Sequence, residues 1–128
     1  MPLVRIDLVA GKSAEYRKTI GDVVYNAMRS ALGAPDRDRF EVITEQPVDG
    51  FLFDPGYLGI EKTDDCIFIQ VTLNEGRTID QKRLFYKQIA DGLHEKLRLR
   101  PQDLMINLVE VSKGNWSYGN GEAQYAMP

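Results

Sequence analysis

CIFIQVTLNEGRTIDQKRLFYKQIADGLHEKL, residues 66–97, is the stretch whose reading decides the fold. Its first part is rich in Ile, Phe and Val. Ile69, Val71 and Leu73 alternate with Phe68, Gln70 and Thr72, the period of two of a strand with one buried face. After the turn, Thr78 is placed to cap a helix, and Phe85, Ile89, Leu93 and Leu97 recur every four residues on one side of it. The segment therefore predicts a strand followed by a helix. Displaced by 65 residues, the same pattern stands at the head of the chain. Val4, Ile6 and Leu8 meet Ile69, Val71 and Leu73; Ser13 meets Thr78; Ile20, Val24, Met28 and Leu32 meet Phe85, Ile89, Leu93 and Leu97; Asp38 meets Asp103. Identity is low, yet strand parity and helix phase both survive, which is the signature of a duplication.

Each half ends in a further strand. In the first, Gly33 and Pro35 stop the helix and DRFEVITEQP (38–47) supplies short apolar material in Phe40, Val42 and Ile43. In the second, Pro101 opens a turn before DLMINLVEV (103–111). A strand, helix and strand in each half fit a right-handed crossover with parallel strands. The expected fold is thus α+β: duplicated β-α-β units forming a four-stranded mixed sheet with two helices on one face. It forms a single domain over 1–128, with pseudo-repeats at about 2–46 and 66–112. The same element order also describes a ferredoxin-like module. The intervening PVDGFLFDPGYLGIEKTDD (47–65) is too apolar for a free linker and reads as a packed lid or as small strands. The tail, residues 112–128, is rich in glycine and carries Trp116, Tyr118 and Tyr125, suited to a subunit contact or a pocket wall. The second face of the sheet is mixed in polarity, from which a homo-oligomer is expected.

Composition sets limits on partners. The 128 residues carry a formal net charge of -3, with 43% apolar and 27% charged residues and one cysteine. Mild acidity gives no support to nucleic-acid or polyanionic-membrane binding. Neither a signal pattern nor an apolar run long enough to cross a bilayer is visible, and a lone Cys66 forms no internal disulfide. A soluble cytoplasmic protein with small-molecule partners is expected.

The chemistry begins at Pro2. Proline suits the first residue of a strand because it cannot donate to a ladder. It also carries a second possibility. Removal of Met1 would free its secondary amine, and α-amines titrate near neutrality, at about 7.7–8.0. Burial would make that amine a better base, whereas a carboxylate such as Asp38 would favour its cation. Retained Met1 would point instead to a non-catalytic binding or structural module. Between the second-half strand and helix stand Asn74, Glu75 and Arg77. Arg77 sits next to a helix N-terminus, where positive charge is unfavourable unless an anion arrives, and a guanidinium can grip a carboxylate through two parallel bonds. A solvated arginine or a surface pair with Asp80 is the alternative. His94 and Cys66 read as structural. Asp54, Asp64 and Asp65 lack a calcium-loop pattern, and GNGEAQ lacks the lysine of a phosphate loop.

MP followed by a strand, SALGAPDRDRFEVITEQP (30–47), DPGYLGIEKTDDCIFIQVTLNEGRTIDQK (54–82) and VEVSKGNWSYGNG (109–121) together resemble the malonate semialdehyde decarboxylase branch of the tautomerase superfamily. The resemblance implies fused strand-helix-strand units, a homotrimer and an active site at the amino-terminal proline. It also implies action on small oxo-carboxylates or their enols without metal or organic cofactor, by tautomerisation or, in the alternative, by decarboxylation of a β-oxo acid. By resemblance, Pro2, Asp38 and Arg77 are the catalytic residues, and Arg77, Asn74, Trp116 and Tyr118 contact substrate. Tyr118 takes the place of the branch's phenylalanine. Glu75 stands where the branch has the first of two arginines, and Asn74 where a related dehalogenase has one, so the carboxylate grip falls to Arg77 alone.

Overall fold

Residues 2–126 are described by the structure, a computed structural model. The expected removal of Met1 concerns a residue outside that range. Strand β1 spans Leu3–Val9, helix α1 Ala14–Leu32, β2 Glu41–Gln46, β3 Ile67–Asn74, α2 Ile79–Leu97 and β4 Leu104–Val111. They build one sheet of order β2-β1-β3-β4, in which β1 runs parallel to β2, β3 parallel to β4, and β1 antiparallel to β3.

The local reasons are those of the sequence. The hydroxyl of Ser13 accepts from the backbone N–H of Tyr16 at the start of α1, and Gly33 closes the helix at a left-handed φ of 70°. Thr78 and Gln81 form a reciprocal capping box on α2. Alternation along β1 and β3 turns Val4, Ile6, Leu8, Ile67, Ile69, Val71 and Leu73 to one side. There they pack in one cluster with Ile20, Val24 and Met28 of α1 and Phe85, Ile89 and Leu93 of α2. Burying each such side chain is worth roughly 1.5–3 kcal/mol. The helices approach closely where a Cβ on Gly92 would meet Val23 Cγ1 at 2.9 Å.

The 65-residue offset carries one half onto the other in register. Leu3 pairs with Thr72, and their counterparts Phe68 and Asp7 pair as well; Val4 pairs with Glu41, and Ile69 with Ile106. Loop bonds follow suit: Ala10 N–H donates to Gln46 O and Glu75 N–H to Val111 O, each at 2.8–2.9 Å. At the end of the sheet where β3 begins, Ile67 is the counterpart of Pro2, and Lys12 of Arg77. Lys12 is paired with Asp65 at 2.8 Å. Asp103 accepts from the Thr63 backbone N–H at 2.6 Å and from its hydroxyl at 2.8 Å.

Between the halves, residues 47–65 form two short 3-10 turns, Val48–Gly50 and Tyr57–Gly59, where small strands were one of the expectations. Phe51 stacks on Phe68 at 4.5 Å and Phe53 meets the same ring edge-on at 6.2 Å. They cover part of the sheet face that carries no helix. On the rest of it Leu3, Val42, Met105 and Val109 are exposed.

Candidate active site

Because β1 is antiparallel to β3 while each outer strand is parallel to its neighbour, one end of the sheet collects four features. These are the start of β1, the start of β2, the end of β3 and the end of β4. The C-terminus of α1 and the N-terminus of α2 lie at that same end by connectivity. Pro2 precedes the first ladder pair of β1, so its missing N–H costs the sheet nothing.

Pro2 is buried and lines a cavity of about 220 Å3 with Leu3, Phe40, Trp116, Ser117 and Tyr118. A second cavity, of about 450 Å3, is lined by the 35–38 turn, Phe40, Tyr118, Gln124 and Tyr125. Phe40 and Tyr118 are common to both, so Pro2 and Asp38 lie on the two sides of a shared aromatic wall. The sequence showed Phe40 merely as strand material; its position two residues beyond Asp38 was the available signal.

Asp38 is 4% exposed. Burial pushes its carboxyl above the ordinary range, against the opposing pull of nearby positive charge that includes the Arg77 guanidinium. Arg77 is half-buried. Its Nε donates to the carbonyl of Leu32 at 3.2 Å and its Nη1 to the carbonyl of Asn74 at 3.0 Å. Leu32 is the last residue of α1, so the guanidinium sits at a helix C-terminus, where positive charge is favourable. The partner of Asp80 is Arg83, at 3.5 Å. Two of the five N–H donors of Arg77 are thus engaged with backbone, and a guanidinium held this way can still offer others to an anion.

Asn74 and Trp116 complete the arrangement. The Trp116 indole N–H donates to Asn74 Oδ1 at 2.7 Å. Asn74 therefore touches Arg77 through its backbone and Trp116 through its side chain. Trp116 stacks on Tyr118 with 5.5 Å between centroids and 14° between planes. Burial, followed by the negative charge of Asp38, pushes the Tyr118 phenol up to about 12. Glu75 points out as an exposed residue. His94 Nδ1 lies 3.2 Å from the Leu99 carbonyl at the end of α2, and Cys66 is fully buried with its thiol pushed up to about 11 by burial. Neither is at this end of the sheet.

A sheet of duplicated halves with a proline, a carboxyl and an arginine gathered at one end defines a class, and comparison with known proteins agrees. Family models described as tautomerase enzyme match residues 38–119 and residues 2–59, and the chain belongs to the tautomerase family. Among relatives it is 36% identical to the probable tautomerase YusQ of Bacillus subtilis (strain 168), over 97% of this chain and 98% of that one. The probable tautomerase YrdN of the same strain is 31% identical, over 98% and 96%. Within the superfamily the resemblance is to malonate semialdehyde decarboxylase. One such solved structure superposes with a TM-score of 0.90 at 28% identity, covering 96% of this chain and 95% of that one. The FG41 malonate semialdehyde decarboxylase, inhibited by 3-bromopropiolate, gives 0.89 at 32%, covering 98% and 99%.

Proposed function

We propose that the chain is a cofactor-independent tautomerase of small oxo-carboxylates or their enols, with the Pro2 amine as the proton carrier. The observation that carries this reading is the position of Pro2. It is buried in a cavity walled by Trp116 and Tyr118, at the end of the sheet that also holds Asp38 and Arg77. A neutral ring nitrogen takes the enol hydroxyl proton as the carbonyl forms and returns a proton to the neighbouring carbon, so the substrate gains and loses one proton each. Arg77 holds the carboxylate, and Asn74 supports it by fixing the backbone at 74 and the indole of Trp116. Asp38 tunes the amine: the more it is ionised, the more the cation of Pro2 is favoured.

The test is Pro2→Ala in protein shown by intact mass to lack Met1. Turnover of the enol form of phenylpyruvate should fall about a hundredfold or more, within the range of general acid–base catalysis. Equal turnover by variant and parent removes Pro2 from the chemistry.

Decarboxylation of a β-oxo acid is a second reading, favoured by the TM-scores of 0.90 and 0.89 against the malonate semialdehyde decarboxylases. In it a cationic Pro2 holds the carbonyl while the carboxylate leaves as carbon dioxide and its electron pair enters an enolate. Release of carbon dioxide from malonate semialdehyde at a rate above enol ketonisation would rank this reaction first. Assembly as a homotrimer would cover the exposed Leu3, Val42, Met105 and Val109. A fused 4-OT of the same fold, at 17% identity and a TM-score of 0.79, is described as a symmetric trimer. A native mass of one subunit at micromolar concentration would reject that assembly.

A further inference from the structure

We propose that the Tyr118 hydroxyl is a specificity-determining hydrogen-bond donor, reserved for the oxo or enol oxygen of a small 2-oxo acid; the assignment rests on the tautomerase reading of the same site. The hydroxyl is buried and has no hydrogen-bond partner among the described residues. A buried hydroxyl left without one is expensive, and native proteins rarely keep such a group without a use. Tyr118 is also held where it stands. Its ring stacks on Trp116, meets Tyr125 edge-on at 5.6 Å and Phe40 at 5.8 Å. Its backbone N–H donates to Gln124 Oε1 at 2.9 Å, and the Gln124 amide in turn donates to the Gly119 carbonyl at 2.8 Å. A ring held by three aromatic neighbours presents its oxygen at a fixed point, which is what a preorganised donor requires.

The location selects the ligand atom. Tyr118 is on the wall common to the cavity of Pro2 and the cavity of Asp38. A substrate whose protonated carbon lies at Pro2 carries its oxygen on the adjacent carbon, two bonds away and within reach of that wall, while its carboxylate goes to Arg77. Tyr118 thus adds a third point of recognition, for the oxygen that distinguishes an oxo acid from a plain carboxylic acid. Burial and the charge of Asp38 push the phenol up to about 12, which keeps it a donor at neutral pH. A phenylalanine at 118 would keep the wall and lose this function.

The experiment uses Tyr118→Phe and the emission of Trp116, the single tryptophan of the chain. Binding of 2-oxobutanoate and of butanoate is titrated in parent and variant, and ketonisation of the enol of phenylpyruvate is measured beside it. The variant should bind 2-oxobutanoate about five- to tenfold more weakly and butanoate as the parent does, the loss expected for one neutral hydrogen bond. Its kcat should fall about 10- to 100-fold, since charge develops on that oxygen during reaction. Equal weakening of both acids would make Tyr118 a wall and overturn the proposal, as would no weakening of either. Parent turnover with an unaffected variant defeats the role of Tyr118 and leaves the tautomerase reading standing. Selective loss of 2-oxobutanoate binding in a protein that turns over no enol does the reverse. A parent that binds no 2-oxobutanoate defeats the role of Tyr118, and one that also turns over no enol defeats the tautomerase reading with it.

Discussion

Replacing Arg77 by alanine separates the structural task its guanidinium performs from the carboxylate anchoring proposed for it. In the parent it donates to the carbonyls of Leu32 and Asn74 at 3.2 and 3.0 Å and places positive charge at the C-terminus of α1. Hydrogen bonds from a charged donor are worth about 1.5–3 kcal/mol when well buried. Arg77 is half-buried, so we discount the pair to a loss of about 2–3 kcal/mol, helix-end charge included. A 128-residue chain unfolds with an entropy of about 0.27 kcal/mol/K, which converts that loss to about 7–11 °C in Tm. Thermal unfolding at one protein concentration reads it directly. Arg77→Lys should recover part of the stability, because the charge remains near the helix end while the two-point bond is lost. Carboxylate recognition is read separately, by turnover of an enol acid against its methyl ester at a temperature where both variants are folded. Arg77→Ala should impair the acid far more than the ester. A Tm within about 2 °C of the parent would refute the helix-end role, and equal losses on acid and ester would refute the anchoring role.

Three further outcomes follow from other residues. Asp38 has a folded-state pKa raised by burial, so the folded state holds its proton more tightly and ionised Asp38 costs stability. The cost is absent below the ordinary carboxylate value near 4 and grows as pH rises through the folded value; Asp38→Asn should therefore be the more stable protein at pH 7, converging with the parent in acid, and poorer in turnover. A variant less stable than the parent at neutral pH contradicts that sign. Gly92→Ala gains about 1 kcal/mol of helix propensity but drives a methyl to 2.9 Å from the stiff Val23 Cγ1. We expect net destabilisation of about 1 kcal/mol, relieved in Gly92→Ala with Val23→Ala; a single variant with a raised Tm would show that the crossing has slack. Cys66, with its thiol pushed up to about 11, should resist iodoacetamide at pH 8 in the folded protein and react on unfolding, which mass spectrometry follows.

Much of the fold could be read from residue order because its determinants are local. Alternation in β1 and β3, the caps at Ser13 and Thr78, the stop at Gly33 and the turn at Pro101 each act within a few residues. The matched offset then required only comparison of one half with the other. Strand order was not local, since the β1–β3 pairing joins residues 59 to 69 positions apart. At the candidate site the same division holds. Pro2, Asp38, Arg77, Trp116 and Tyr118 drew attention by residue type and by resemblance, but what each side chain touches is tertiary. The expectation for Arg77 considered the N-terminus of its own helix, whereas the guanidinium reaches the C-terminus of the other one. The bond from Trp116 to Asn74 spans 42 positions and left no trace in spacing. The apolar 47–65 segment was correctly too greasy for a linker, yet nothing in it announced that Phe51 and Phe53 would settle on Phe68.

The end of the sheet where Ile67 replaces Pro2 has a consequence for inheritance. A residue inside a polypeptide has spent its α-nitrogen in an amide, so no substitution at position 67 could supply the terminal amine that the proposed mechanism asks of Pro2. In a chain of two like units, the proposed chemistry is therefore open to one end of the sheet and closed to the other. At the Ile67 end the corresponding positions hold cohesive contacts, the Thr63 clasp on Asp103 and the tie between Lys12 and Asp65. Under the proposed function, mutational tolerance should accordingly differ between the ends: conservative repacking should be tolerated at the Ile67 end, and loss of polar groups at the Pro2 end should cost turnover.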